Sequence, residues 1–128
     1  KRFSVAEANR AITLVRRIVT DIVREYACLR ELHATCRRLE AEGNTAEAEE
    51  ARRQYIRLTD RLSALREELE EIGCELKDYA SGLVDFPARR QGRDVLLCWV
   101  LGEETVCHWH EVETGAGSRK PVDADWES

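Results

Sequence analysis

The sequence is poor in the features that announce chemistry. It holds no glycine-rich phosphate loop, no nucleophile elbow and no HExxH pair. Its five cysteines, Cys28, Cys36, Cys74, Cys98 and Cys107, are too scattered for a CxxC metal site. An odd, unpatterned set of thiols fits a reducing cytosol better than a secreted disulfide scaffold. Apolar runs fall short of the ~18 residues of a membrane span, and no secretory leader is recognisable. The net charge of −5 argues against general binding to nucleic acid or to an anionic membrane. Aromatic residues reach only 6 %, against 35 % charged, a balance that suits long solvated helices better than a compact sandwich. A cytoplasmic protein with a single domain over residues 1–128 is the expectation.

What is present is periodicity. Ser4 and Glu7 have the spacing of a capping box. Apolar residues then recur in steps of three and four at Val5, Ala8, Ile12, Val15, Val19, Ile22, Tyr26 and Leu29, and His33 and Cys36 continue the seam. Gly43 supplies a left-handed C′ position and Asn44 caps the next helix. The period restarts at Ala48, Ala51, Tyr55, Leu58, Leu62, Leu65, Leu69, Ile72, Leu76 and Tyr79. Two matched seams with a short link predict helices over 4–42 and 44–80 paired as an antiparallel hairpin. Pairing across the turn places Cys36 near Ala51, His33 near Tyr55 and Ala8 near Tyr79. Gly73 then falls inside the second helix, as a kink or a point of close backbone approach. A second stripe on the first helix, Ala11, Leu14 and Ile18 with Val23 nearby, needs further cover from the β half, a second copy of the chain, or both.

The second half reads as a β-meander over 83–112 with a tail over 113–128. Its strands fall at 83–86, 94–101 and 104–112, with a turn at 89–93. Gly102-Glu103 suits a two-residue hairpin loop. That register sets Cys98 opposite Cys107 and Val95 opposite His110, and puts both histidines on the helix-facing side with Trp99. A longer loop would slip the pairing by one and set Cys98 opposite His108. Neither face is polar, so both should be covered at least in part. The expected fold is α+β: a long antiparallel two-helix coiled-coil hairpin followed by a small three-stranded antiparallel sheet.

The run Gly82-Leu83-Val84-Asp85-Phe86-Pro87, then Leu97-Cys98-Trp99, Gly102-Glu103, Trp109-His110, Gly115 and Arg119-Lys120-Pro121, resembles a prokaryotic domain of unknown function, number 2203. The opening Phe3-Ser4-x-x-Glu7-Ala8-Asn9 is similar to that family's start. The chain departs from the usual pattern at Val100, where a basic residue is common, and at Ala116, where a bulky apolar one is usual. The resemblance implies a cytoplasmic prokaryotic protein with a helical hairpin and a small sheet. It brings no established activity.

Three constellations could carry chemistry. His108 and His110, spaced i and i+2 on a strand, could hold a divalent metal with Asp85 as third ligand. The favoured alternative is structural, with His110 hydrogen-bonded to a carboxylate such as Asp85, so a metal cofactor is admissible but not favoured. Arg89, Arg90, Arg93, Arg119 and Lys120 could gather around a phosphate, a carboxylate or an acidic partner, though a solvated turn is the simpler reading. Cys98 and Cys107 could form a cross-strand thiol pair, or serve as small buried hydrophobes. Most of the sequence is spent on seams, caps and strand packing. The functional expectation is therefore a non-enzymatic, homodimeric interaction or scaffold module that also admits a protein partner. A metal- or small-molecule-binding protein, or an acid/base enzyme, built around His110 is the alternative.

Overall fold

Helix α1 (Val5–Ala41) begins where the capping box predicts. The Glu7 amide donates to Ser4 Oγ at 3.0 Å and the Ser4 amide donates to Glu7 Oε1 at 2.9 Å. Two amides that the first turn would leave orphaned are thereby satisfied. The helix closes at Glu42 and Gly43, with Gly43 at φ +77°. Helix α2 (Thr45–Ile72) follows Asn44, which takes the N-cap position but makes no capping bond through its side chain. The seams meet as expected at the distal end. The His33 and Tyr55 rings lie 5.9 Å apart, and Cys36, Leu39, Ala48 and Ala51 form a small buried cluster of their own.

α2 ends at Ile72 rather than near residue 80. Gly73 is its left-handed cap at φ +111°, and the amides of Gly73 and Cys74 both reach back to the Leu69 carbonyl. Such a cap needs a residue without Cβ. Leu76 keeps the helical period in sequence, but it lies in strand β1 (Glu75–Asp78) opposite Val84. Tyr79 consequently packs on Tyr26, with centroids 5.5 Å apart, instead of near Ala8.

The sheet has five strands, not three. β1, β2 (Leu83–Arg90), β3 (Arg93–Val100), β4 (His108–Glu111) and β5 (Lys120–Pro121) follow one another as an antiparallel meander. The two additional strands are the edges. β1 carries a helical period, and β5, with two residues in the tail, is too short to show any period. The computed structural model describes residues 1–124 and 126; Asp125, Glu127 and Ser128 of the tail lie outside the described residues.

One face of the sheet carries Val84, Phe86, Ala88, Val95, Leu97 and Trp99 into a single core with Ile12, Val15, Ile18, Val19 and Ile22 of α1 and Leu62 and Leu69 of α2. Fully burying each large aliphatic or aromatic side chain contributes about 1.5–3 kcal/mol. The second stripe of α1 is largely accounted for here. Ile18 is buried and Ala11 and Val23 pack at the core's edge, which leaves Leu14 exposed. Gly82, just before β2, lies tightly against α1. A Cβ there would sit 2.7 Å from Val19 Cγ1.

Candidate functional site

The β3–β4 pairing decides what the histidines face. Cys98 pairs with His108, Leu97 with Trp109, and Leu96 with His110. This is the register slipped by one from the two-residue hairpin. The connection is wider because three side chains seize it. Glu103 Oε1 accepts from the Val100 amide at 2.9 Å. Asn9 of α1 holds Val106 at two points, accepting from its amide at 2.7 Å and donating to its carbonyl at 3.2 Å. Arg16 donates to the carbonyls of Glu103 and Glu104. Val106 is thus bound to the helix instead of pairing with Trp99, and β4 starts only at His108.

The slip exchanges the faces. Trp109 now shares the helix side with Leu97 and Trp99, and the two tryptophans are not on opposite faces. His108 and His110 join Cys98 and Asp85 on the other side. The expected Cys98–Cys107 pair does not form: Cys98 is fully buried in β3 and Cys107 is exposed in the connection. Both faces are covered at least in part, as the lack of a polar one implied, since Cys98 and His110 are 0 % and 1 % exposed.

Asp85, Cys98 and His110 come together from β2, β3 and β4. Their ligand-type atoms all lie within 4.8 Å of one another, and all three residues are buried. His110 Nε2 is 3.0 Å from Asp85 Oδ1, and Nδ1 is 2.8 Å from the Glu111 carbonyl oxygen. An imidazole with an acceptor at each nitrogen needs a proton on both, or a proton on the carboxyl. Burial, together with the neighbouring Asp85 charge, pushes the Cys98 thiol up to about 12. It is a neutral thiol and not a ready nucleophile. With both ring nitrogens turned to protein acceptors, His110 offers no free edge to a substrate, and an acid/base role gains no support from this geometry.

His108 stands apart from the trio. It is half-buried, with Nδ1 3.4 Å from Cys107 Sγ and 3.5 Å from Glu103 Oε2. The structure therefore brings Asp85 and His110 together as the sequence suggested, but with Cys98 in place of His108.

The basic residues do not converge on one point. Arg89 lies 3.7 Å from Asp94, and Arg93 lies 3.4 Å from Glu111. Arg90 pairs with Asp123 at 3.6 Å and lies over the rings of Trp109 and Trp126. Lys120 lies over Trp109 with its Nζ 4.9 Å from the ring centroid. Arg119 is held elsewhere, by both Glu103 carboxylate oxygens at 2.8 and 3.0 Å and by the Cys98 carbonyl at 3.3 Å. Each of the four arginines already holds a carboxylate of its own chain.

Sequence reasoning missed Glu103 and Asn9. Burial raises the Glu103 pKa, but Arg119, the Val100 amide and His108 outweigh it, and the net direction is downward. For Asn9 a signal existed: a weak helix former next to the seam residue Ala8.

The sequence profile of a family described as "Uncharacterized conserved protein (DUF2203)" matches residues 1–122. The chain belongs to the DUF2203 family. Asp85, Cys98 and His110, like the whole sheet, fall inside the matched region. Searches of curated proteins and of solved structures give no significant match. The fold of this DUF2203 member is a two-helix hairpin on an antiparallel sheet.

Proposed function

We propose that this DUF2203 member is a non-enzymatic interaction module that works as a homodimer, with the helical hairpin as the dimerising element. The supporting observation is an apolar and aromatic strip along one side of the hairpin. Tyr26, Leu29, His33 and Tyr55 line one groove of about 400 Å³, and Tyr26, Leu29, Leu62 and Tyr79 line its smaller continuation. Ile56 is 56 % exposed, and shares a helical face with Thr59 and Ser63 of that continuation. Tyrosine-rich apolar strips of this kind are enriched at the centres of protein interfaces.

A second hairpin laid on this strip makes a four-helix arrangement, the simplest closed assembly for such an element. The distal arm supports the same reading. It packs on itself through the Cys36–Ala51 cluster, separate from the sheet's core. Elsewhere it carries exposed ion pairs such as Arg53–Glu50 and Arg38–Glu42, which contribute little to stability on their own. Ile56→Glu tests the assignment. The variant is expected to keep its helical circular dichroism and to elute as a monomer in size-exclusion chromatography. Unchanged elution would remove the hairpin strip as the interface. Consistent with a soluble module, no helix among the described residues is long and apolar enough to cross a membrane; a cytoplasmic and prokaryotic setting belongs to the same proposal.

A further inference from the structure

We propose that Asp85, Cys98 and His110 form a three-donor site for one thiophilic divalent cation, with zinc as the fitting example. Three observations carry this. The donors are a carboxylate oxygen, a sulfur and an imidazole nitrogen, gathered within 4.8 Å from three adjacent strands. That mixed set suits zinc or a neighbouring late transition metal, and not magnesium or calcium. The ring is also fixed for the role. His110 Nδ1–H donates to the Glu111 carbonyl at 2.8 Å, which leaves Nε2 as the nitrogen turned toward Asp85. Metal-binding histidines are commonly oriented by such a second hydrogen bond.

The third observation is charge. Without metal, the thiol is neutral and Asp85 and His110 share one proton besides Nδ1–H, so the trio sums to zero whichever of the two carries it. Binding follows M²⁺ + Cys–SH + (Asp–H–His) → M(Cys–S⁻)(His)(Asp⁻) + 2 H⁺, where Asp–H–His is the pair with its shared proton. The metal replaces two protons, and the sum with the Asp85 carboxylate is again zero. The cation can therefore enter a solvent-excluded place without leaving net charge there. Arg119, which donates to the Cys98 carbonyl, is already paired with Glu103 at 2.8 Å. His108 lies outside the trio and supplies no fourth donor.

This inference is independent of dimerisation. The test uses the untagged full chain, stripped with a chelator and titrated with cobalt(II). The expected result is saturation at one equivalent with a sulfur-to-cobalt charge-transfer band in the near ultraviolet, bleached by zinc. The band should vanish in Cys98→Ser and survive in Cys107→Ser. Asp85→Asn, which retains a hydrogen-bonding group, should weaken cobalt binding at least about tenfold. If Cys98→Ser does not fold, the wild-type chain still decides: its melting temperature should rise with zinc and not with magnesium. Absence of the band and of the zinc shift in the wild-type chain would overturn the proposal. So would a band that persists in a folded Cys98→Ser variant.

Discussion

His110 and Asp85 illustrate how much depends on single partners. Removing the imidazole leaves the Asp85 carboxylate buried without its partner. His110→Ala should cost roughly 3–5 kcal/mol, the range for orphaning one member of a buried charged pair. Asp85→Asn still offers an acceptor to Nε2–H and should cost only about 1–2 kcal/mol. Urea denaturation of the two variants checks the order, and equal losses would contradict the hydrogen-bond account. Glu103 gives a pH-dependent counterpart. Its pKa is lowered in the folded chain, so the unfolded state binds its proton first on acidification. Its contribution is present above the ordinary glutamate range and is lost as pH falls through the lower folded value. Acid denaturation of Glu103→Gln should lack that component, and an unchanged acid profile would remove Glu103 as the anchor of residues 101–107. The Asp85–His110 contact was legible in the sequence as a carboxylate near a histidine. Cys98 was not, because its place depends on a one-residue register that the strand pattern alone leaves open.

At the scale of elements, the caps and seams were the legible part. Ser4, Glu7, Gly43 and the His33–Tyr55 contact all follow from spacing. The errors share one cause, which is that tertiary bonds override local period. Leu76 and Tyr79 extend the heptad pattern, yet Gly73 ends the helix and Leu76 packs in β1 beside Val84. Gly102-Glu103 has the composition of a two-residue turn, yet Asn9 draws Val106 away. Asn9→Ala should therefore cost about 1–3 kcal/mol, the penalty for a buried amide and carbonyl losing their partners. It should also speed amide exchange in residues 101–107 before any global unfolding, and protection left intact would show that the connection holds itself. Gly82→Ala should destabilise by more than about 1 kcal/mol. It places a methyl against Val19 at a backbone φ of +77°, which L side chains rarely adopt. A variant as stable as the parent in thermal melting would show that the sheet can shift away from α1.

The whole molecule divides into an anchored half and a projecting half. The sheet shares one core with α1 as far as Ile22 and with Leu62 and Leu69 of α2. The helices run about 55 and 42 Å in all at the α-helical rise, and their distal ends pack on each other through Cys36, Leu39, Ala48 and Ala51. The α+β class was legible from the switch between a period near 3.5 and a period of two. The full sheet was not, because its edge strands have four and two residues. The proposed dimerisation through the hairpin would give the projecting half its purpose, and the mass in solution reads it most directly. Light scattering on the eluting chain at micromolar concentration should give about twice the 14.7 kDa chain mass, with Ile56→Glu at the single-chain value. A wild-type mass of one chain under those conditions would contradict the account.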